Sequence, residues 1–322
     1  WAVTAVLGEE GRLAEVLRRW KVPVTVISLP RWAYGGPATR WSWSPGVVAA
    51  PRLAGALRRV GRPLLYANGA ASALLGTVAA RLAGGQACWR AQTAGEASWA
   101  LARLAQHLGA RLLPSLPAIN LGAVRPLDPP RRARGAAPVV GMLGPWLPRS
   151  GAETLLRAFG LLHAAGRQGR LRLGGIGRGD ERLLAVLRGA VQAQGWADSV
   201  TLEERVEDPV AFLAACDLLA IPAREEDTGR VALEAAALGR PAVAARVSGL
   251  ETLIADGHTG LLVPPGDPRA LADALELLLA SPALRAEMGR QARVRAEERY
   301  GIGVVVDALE ALPAEVRPGV GR

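Results

Sequence analysis

Apolar positions along the chain follow two alternating patterns. Short unbroken runs such as Ala2-Val3-Thr4-Ala5-Val6-Leu7 and Val22-Pro23-Val24-Thr25-Val26-Ile27 predict buried strands. Between them, apolar residues recur at helical spacing, as Leu13, Val16 and Leu17 do within 11–20. The same reading predicts strands over 63–67 and 86–89, helices over 53–60 and 71–82, and a loop over 30–46. After a Pro-, Arg- and Gly-rich stretch from Pro114 to Pro138, read as a connector, a second series begins. It predicts strands over 139–143, 170–173, 199–202, 217–221 and 242–245, and helices over 152–164, 181–194, 209–215, 230–238, 270–279 and 282–298. Strands that alternate with helices predict parallel β-α-β units. The expected fold class is α/β: two Rossmann-like doubly wound domains, 1–135 and 136–322, facing a cleft at the carboxyl ends of strands.

Composition narrows the function classes. The chain has 322 residues, 50% of them apolar and 21% charged, which excludes a disordered chain. No apolar run approaches the roughly 18 residues of a membrane-spanning helix. Two cysteines, Cys88 and Cys216, are too few for a zinc cluster or a disulfide scaffold. The chain opens at Trp1 with neither a Met nor a signal-peptide pattern, so a fragment is expected, cytoplasmic and at most peripheral at a membrane.

The net charge of +10 is unevenly spread. Residues 1–135 hold 18 basic and 5 acidic side chains, whereas 136–322 hold 21 and 24. Such asymmetry suits an anionic or membrane-borne partner for the first half. All basic residues but Lys21 are arginines, so the drift of a G+C-rich genome stands beside that reading. The Arg131-Arg132-Ala133-Arg134 tract is short and lacks interleaved aromatics, so no nucleic-acid partner is expected. Trp32, Tyr34, Trp41 and Trp43 share one loop and could stack on sugars or rest at a membrane interface.

Chemistry concentrates in Pro222-Ala223-Arg224-Glu225-Glu226-Asp227-Thr228-Gly229-Arg230-Val231-Ala232-Leu233-Glu234. A strand ends at Pro222 and a helix starts near Arg230. Free backbone N–H groups and the positive end of the helix dipole there suit a phosphate or diphosphate. Gly229 allows close backbone approach. Glu226 on the loop and Glu234 in the second helical turn can accept hydrogen bonds from sugar hydroxyls.

The run continues through Leu238-Gly239-Arg240-Pro241-Ala242-Val243, Ser248-Gly249-Leu250-Glu251 and Asp256-Gly257-His258-Thr259-Gly260-Leu261-Leu262-Val263-Pro264-Pro265-Gly266-Asp267. In this order it resembles the donor domain of family 4 retaining glycosyltransferases of GT-B architecture. Their block reads E-x-F-G-x-x-x-x-E, followed by G-x-x-E and D-G-x-T-G. Gly175-Ile176-Gly177 looks like the family's G-x-G, and Ala214-Ala215-Cys216-Asp217 like its A-x-x-D. The resemblance implies transfer of a sugar from a nucleotide-sugar donor to an acceptor hydroxyl, with retention, no metal and no cofactor beyond the donor itself. Glu226, the catalytic candidate, would hold sugar hydroxyls. Backbone amides of Thr228, Gly229, Arg230 and Val231 would meet the sugar and diphosphate, Glu234 would bind the nucleotide ribose, the backbone near Val206 would border the base, and Gly177 would join the donor-binding residues.

The chain departs from that pattern where the family's G-R-L-x-x-x-K-G clamps the diphosphate. Here Gly144-Pro145-Trp146-Leu147-Pro148-Arg149-Ser150-Gly151 puts Pro145 and Ser150 at the cationic positions. Arg149 and Arg230 are the expected substitutes. Arg90 stands where the family usually has a His. The Gly-rich loop after the family's first strand finds no match, so by this resemblance the first domain is expected to lack one β-α unit. A non-catalytic nucleotide or glycan binder, and a sugar-nucleotide epimerase, remain as alternatives.

Overall fold

The computed structural model describes residues 136–176, 180–225, 227, 229–304 and 307. Before these it describes 5–7, 24–26, 44–58, 64–68, 70–84, 86–90, 107–108 and 111–113, with single positions between. Contacts divide the chain into Trp1–Ser115 with Ala311–Arg322, and Leu116–Glu310. Part of the connector therefore goes with the second unit: the Ile119 N–H donates to Tyr300 O at 2.8 Å, and Arg293 donates to Val124 O.

In the first unit, β1 (Ala5–Leu7) pairs in parallel with β2 (Val24–Val26). Helix α1 (Ser44–Arg58) precedes β3 (Leu64–Asn68), α2 (Ala70–Leu82), β4 (Gln86–Arg90) and β5 (Arg111–Leu113). The last three strands form a parallel sheet in the order β3-β4-β5. Leu53, Ala54 and Leu57 of α1 pack on Ala79 and Ala80 of α2, where small side chains let the helices approach closely. Arg58 donates to Leu82 O at the end of α2. Helix α1 starts well ahead of the predicted 53 and runs through Pro51, which withholds one N–H without ending the helix. The aromatic loop of Trp32, Tyr34, Trp41 and Trp43 lies outside the described residues.

The second unit alternates strand and helix and closes with a further helix. Its elements are β6 (Val139–Gly144), α3 (Ala152–Ala164), β7 (Arg170–Gly175), α4 (Glu181–Ala193), β8 (Val200–Glu203) and α5 (Pro209–Ala214). There follow β9 (Leu218–Ile221), α6 (Arg230–Ala237), β10 (Ala242–Ala245), α7 (Leu250–Leu253), β11 (Gly260–Val263), α8 (Pro268–Ala280) and α9 (Pro282–Tyr300). All six strands are parallel, in the order β11-β10-β9-β6-β7-β8. Read from β8, this is the doubly wound arrangement whose order reverses between β6 and β9.

Burial explains why the strands read as unbroken apolar runs. Along β9, Leu218 and Ala220 enter one core while Leu219 and Ile221 enter the other; on β6 Val140 and Met142 part from Val139 and Leu143 in the same way, and on β10 Val243 parts from Ala242 and Ala244. One core is filled by α3, α4 and α8 through Leu155, Leu187 and Leu275, the other by α5, α6 and α9 through Phe212, Leu233 and Tyr300. A parallel sheet covered on both faces leaves its strand ends as the places open to a ligand.

Candidate functional site

The switch between β6 and β9 brings two distant loops together. After β6, a single 3₁₀ turn, Pro148–Ser150, leads to Gly151 at φ +79°. A Cβ there would collide with the Pro222 carbonyl oxygen at the end of β9. The Arg224 N–H donates to Arg149 O at 2.9 Å, which joins the same two loops. Asp217 latches the strands below them: its carboxylate accepts the Val139 N–H at 2.7 Å, and its own N–H donates to Val139 O. That is what the Asp of Ala214-Ala215-Cys216-Asp217 does here.

Buried Trp146 anchors the β7 side. Its Nε1–H donates to Glu204 O at 2.9 Å, while its carbonyl accepts the Asp180 N–H. Gly175 lies so close beneath that a Cβ would overlap both Trp146 and the Glu204 carbonyl. The Val206 N–H donates to Gly175 O at 2.8 Å, and its side chain covers Gly174. Val206 thus borders the end of β7. Gly177 lies outside the described residues.

Helix starts distinguish this edge of the sheet. Helices α4, α5, α8 and α9 are capped by Asp180, Asp208, Asp267 and Ser281, each accepting a backbone N–H of its first turn. Helices α3, α6 and α7 begin instead at Gly151, Gly229 and Gly249, with no side-chain cap. These three follow β6, β9 and β10, which are neighbours in the sheet.

Around α6, Gly229 sits at φ +68° and its N–H donates to Asp227 Oδ1 at 2.7 Å. The Gly229 amide, expected to face a diphosphate, is therefore engaged within its own turn. The first intrahelical bond runs from the Leu233 N–H to Gly229 O, so the Arg230 and Val231 amides precede it. Arg230 Nε donates to Glu234 Oε1 at 2.9 Å, an i,i+4 ion pair in which Arg230 is 81% exposed and Glu234 15%. The two candidates read separately in the sequence form one unit. Glu226 and Thr228 lie outside the described residues. Arg149 is exposed, while the Ser150 hydroxyl donates to Leu147 O at 2.7 Å and is spent closing its turn. In the first unit, Arg90 is the last residue of β4.

Asp256 and Thr259 of the D-G-x-T-G run shape a turn. The Asp256 carboxylate accepts the Leu262 N–H at 2.9 Å and pairs with Arg246, and Thr259 Oγ1 accepts the Ala255 N–H. Burial pushes the Asp256 pKa up, but the Leu262 N–H and the Arg246 guanidinium outweigh it and hold the carboxyl below its ordinary value. Among the described residues no three His, Cys, Asp or Glu side chains are grouped to hold a metal ion, and no helix is long and apolar enough to cross a membrane.

Residues 137–281 match the family "Glycosyl transferases group 1". The D-inositol 3-phosphate glycosyltransferase of Pseudarthrobacter chlorophenolicus is 34% identical over 252 residues, 75% of this chain; the chain spans 59% of that protein. The alpha-D-kanosaminyltransferase of Streptomyces kanamyceticus is 31% identical over 56% of this chain and 46% of its own length. Among solved structures, Anabaena HepE in complex with UDP and glucose superposes with a TM-score of 0.73 at 21% identity, over 95% of this chain and 91% of that one. The sucrose-phosphate synthase of Thermosynechococcus elongatus gives 0.67 at 22% identity, over 97% and 96%. These likenesses show the fold, the α/β GT-B architecture.

Proposed function

Because the chain belongs, through residues 137–281, to the glycosyl transferases group 1 family, we propose that it moves a sugar from a nucleotide-sugar donor to an acceptor hydroxyl. Transfer proceeds with retention at the anomeric carbon and needs neither a metal nor a further cofactor. One observation carries the reading: three adjacent strands, β6, β9 and β10, each lead into a helix that begins at glycine without a side-chain cap. The first amides of α7 donate to Val247 O, but those that open α3 and α6 precede the first intrahelical bonds, Leu155 N–H to Gly151 O and Leu233 N–H to Gly229 O. With the positive dipole ends of these two helices they favour a diphosphate, and they stabilise it as it leaves with the bond electrons. Glu234, largely buried at the start of α6, takes ribose hydroxyls as an acceptor. Glu226 does the same for the sugar. HepE has been solved with UDP-glucose, which supports a nucleotide sugar as the donor class.

Arg149 and Arg230 supply the cationic contacts that Pro145 and Ser150 do not. Each desolvated charge-assisted hydrogen bond would be worth about 1.5–3 kcal/mol. Replacing both by Ala should weaken nucleoside-diphosphate binding by at least about tenfold. Unchanged affinity would remove them from the site. Turnover is checked with a panel of UDP-, GDP- and ADP-sugars, followed by release of the nucleoside diphosphate. A second reading, a nucleotide binder without turnover, draws on Pro145, which has neither charge nor N–H, and on the Ser150 hydroxyl, which is already engaged. Binding without release in that panel would select it.

A further inference from the structure

We infer that Arg295 and Tyr300, on the last helix of the second unit, position the Gly229 turn that receives the nucleoside diphosphate. This deepens the donor-site reading above and rests on it. Helix α7 has only four residues, too few to satisfy its own final carbonyls. Helix α9 supplies the missing donors: Arg295 Nε donates to Leu253 O at 2.9 Å and Nη2 to Thr252 O at 3.0 Å, and the Tyr300 hydroxyl donates to Thr252 O at 2.9 Å. Tyr300 is 6% exposed, so its hydroxyl is held in place by packing.

What these bonds fix reaches the site through one side chain. Leu253 is buried, and its Cδ1 occupies the space a Cβ on Gly229 would need. The same turn rests on the preceding loop, where the Asp227 N–H donates to Ser248 O at 3.1 Å. Asp227 and Gly229 are therefore seated on 248–253, and 252–253 are seated on α9. Because Gly229 O accepts the first intrahelical bond of α6, its position sets where the Arg230 and Val231 amides lie. Arg293, on the same helix, donates instead to Val124 O and Ala237 O and pairs with Glu297, so its polar bonds contribute to stability by another route.

That contrast makes the test. UDP, GDP and ADP are titrated against the full chain and against Tyr300→Phe, Arg295→Gln, Arg295→Lys and Arg293→Gln, with a melting temperature for each. Tyr300→Phe should weaken the preferred nucleoside diphosphate by about threefold to tenfold, the worth of one hydrogen bond, and Arg295→Gln by about tenfold or more. Arg295→Lys should recover part of that loss, since an ammonium can still reach one carbonyl. Arg293→Gln should lower the melting temperature at least as far while leaving affinity within about twofold. The inference is overturned if Tyr300→Phe binds like the unaltered chain, or if affinity follows melting temperature across all the variants. Should Arg295→Gln not fold, Tyr300→Phe carries the decision. If the unaltered chain binds none of the three nucleotides, the donor-site reading fails and the positioning role falls with it.

Discussion

Gly151 and Gly229 both adopt positive φ at the start of uncapped helices, yet they differ in what surrounds them. A Cβ on Gly151 meets the Pro222 carbonyl, part of the backbone at the end of β9, which cannot give way. A Cβ on Gly229 meets the far end of the Leu253 side chain, which can shift at some cost. Gly151→Ala should therefore lose about 2 kcal/mol or more, and Gly229→Ala about 1 kcal/mol, mainly from the left-handed backbone. Urea denaturation measures both, and equal losses would contradict this account. Some of this site was legible from residues alone. The glycine before α6 and the carboxylate in its second turn stand where the motif put them. The Arg230–Glu234 pair also had a visible signal, since i,i+4 opposite charges on a predicted helix meet. The role of Leu253 had none: its contact with Gly229 is made only in the fold, by a residue 24 positions away in a helix too short to show periodicity.

Elements of the second unit were legible in proportion to their burial. Strands β6, β9 and β10 read as continuous apolar runs because both faces are covered, and α5, α8 and α9 were marked by Asp or Ser followed by Pro. Strand β11, only half-buried at Leu261 and Leu262, and the four-residue helix α7 draw their order from partners elsewhere, so no local pattern announced them, nor did one announce β5 in the first unit. Strand β11 shows how such an element is held. Its register follows from the Asp256 carboxylate, which accepts the Leu262 N–H and pairs with Arg246 next to β10. A folded-state pKa held below the unfolded one contributes stability that is fully present above the unfolded value. That stability is lost as pH falls through the folded value. Asp256→Asn should thus unfold more easily than the unaltered chain at pH 7, with the gap closing as pH drops below about 4. Thermal melts across that range check it, and a gap independent of pH would assign the loss to shape alone.

At the scale of the whole molecule, charge and fold divide along nearly the same line. The excess of positive charge belongs to residues 1–135, which hold few acidic side chains, while residues 136–322 are mildly acidic. An acceptor carried by an anionic surface would be drawn to the first part and not to the second. The chain should accordingly sediment with anionic vesicles at low salt and be released as ionic strength rises. Indifference to vesicle charge would leave the arginines to compositional drift. The strand order has a consequence of another kind, for how the molecule is assembled. Val139 and Asp217, which lock β6 to β9, stand 78 positions apart, and all of β7 and β8 lies between them. Every other neighbouring pair in that sheet is joined by a single crossover. The β6–β9 seam is thus the costliest loop to close, and the ligand edge comes into being only when it closes. A chain emerging in order from its N-terminus would finish half of this six-stranded sheet and still lack the β6–β9 edge. On the proposed donor-site reading, a nucleotide bound there would hold shut the seam with the longest loop to close.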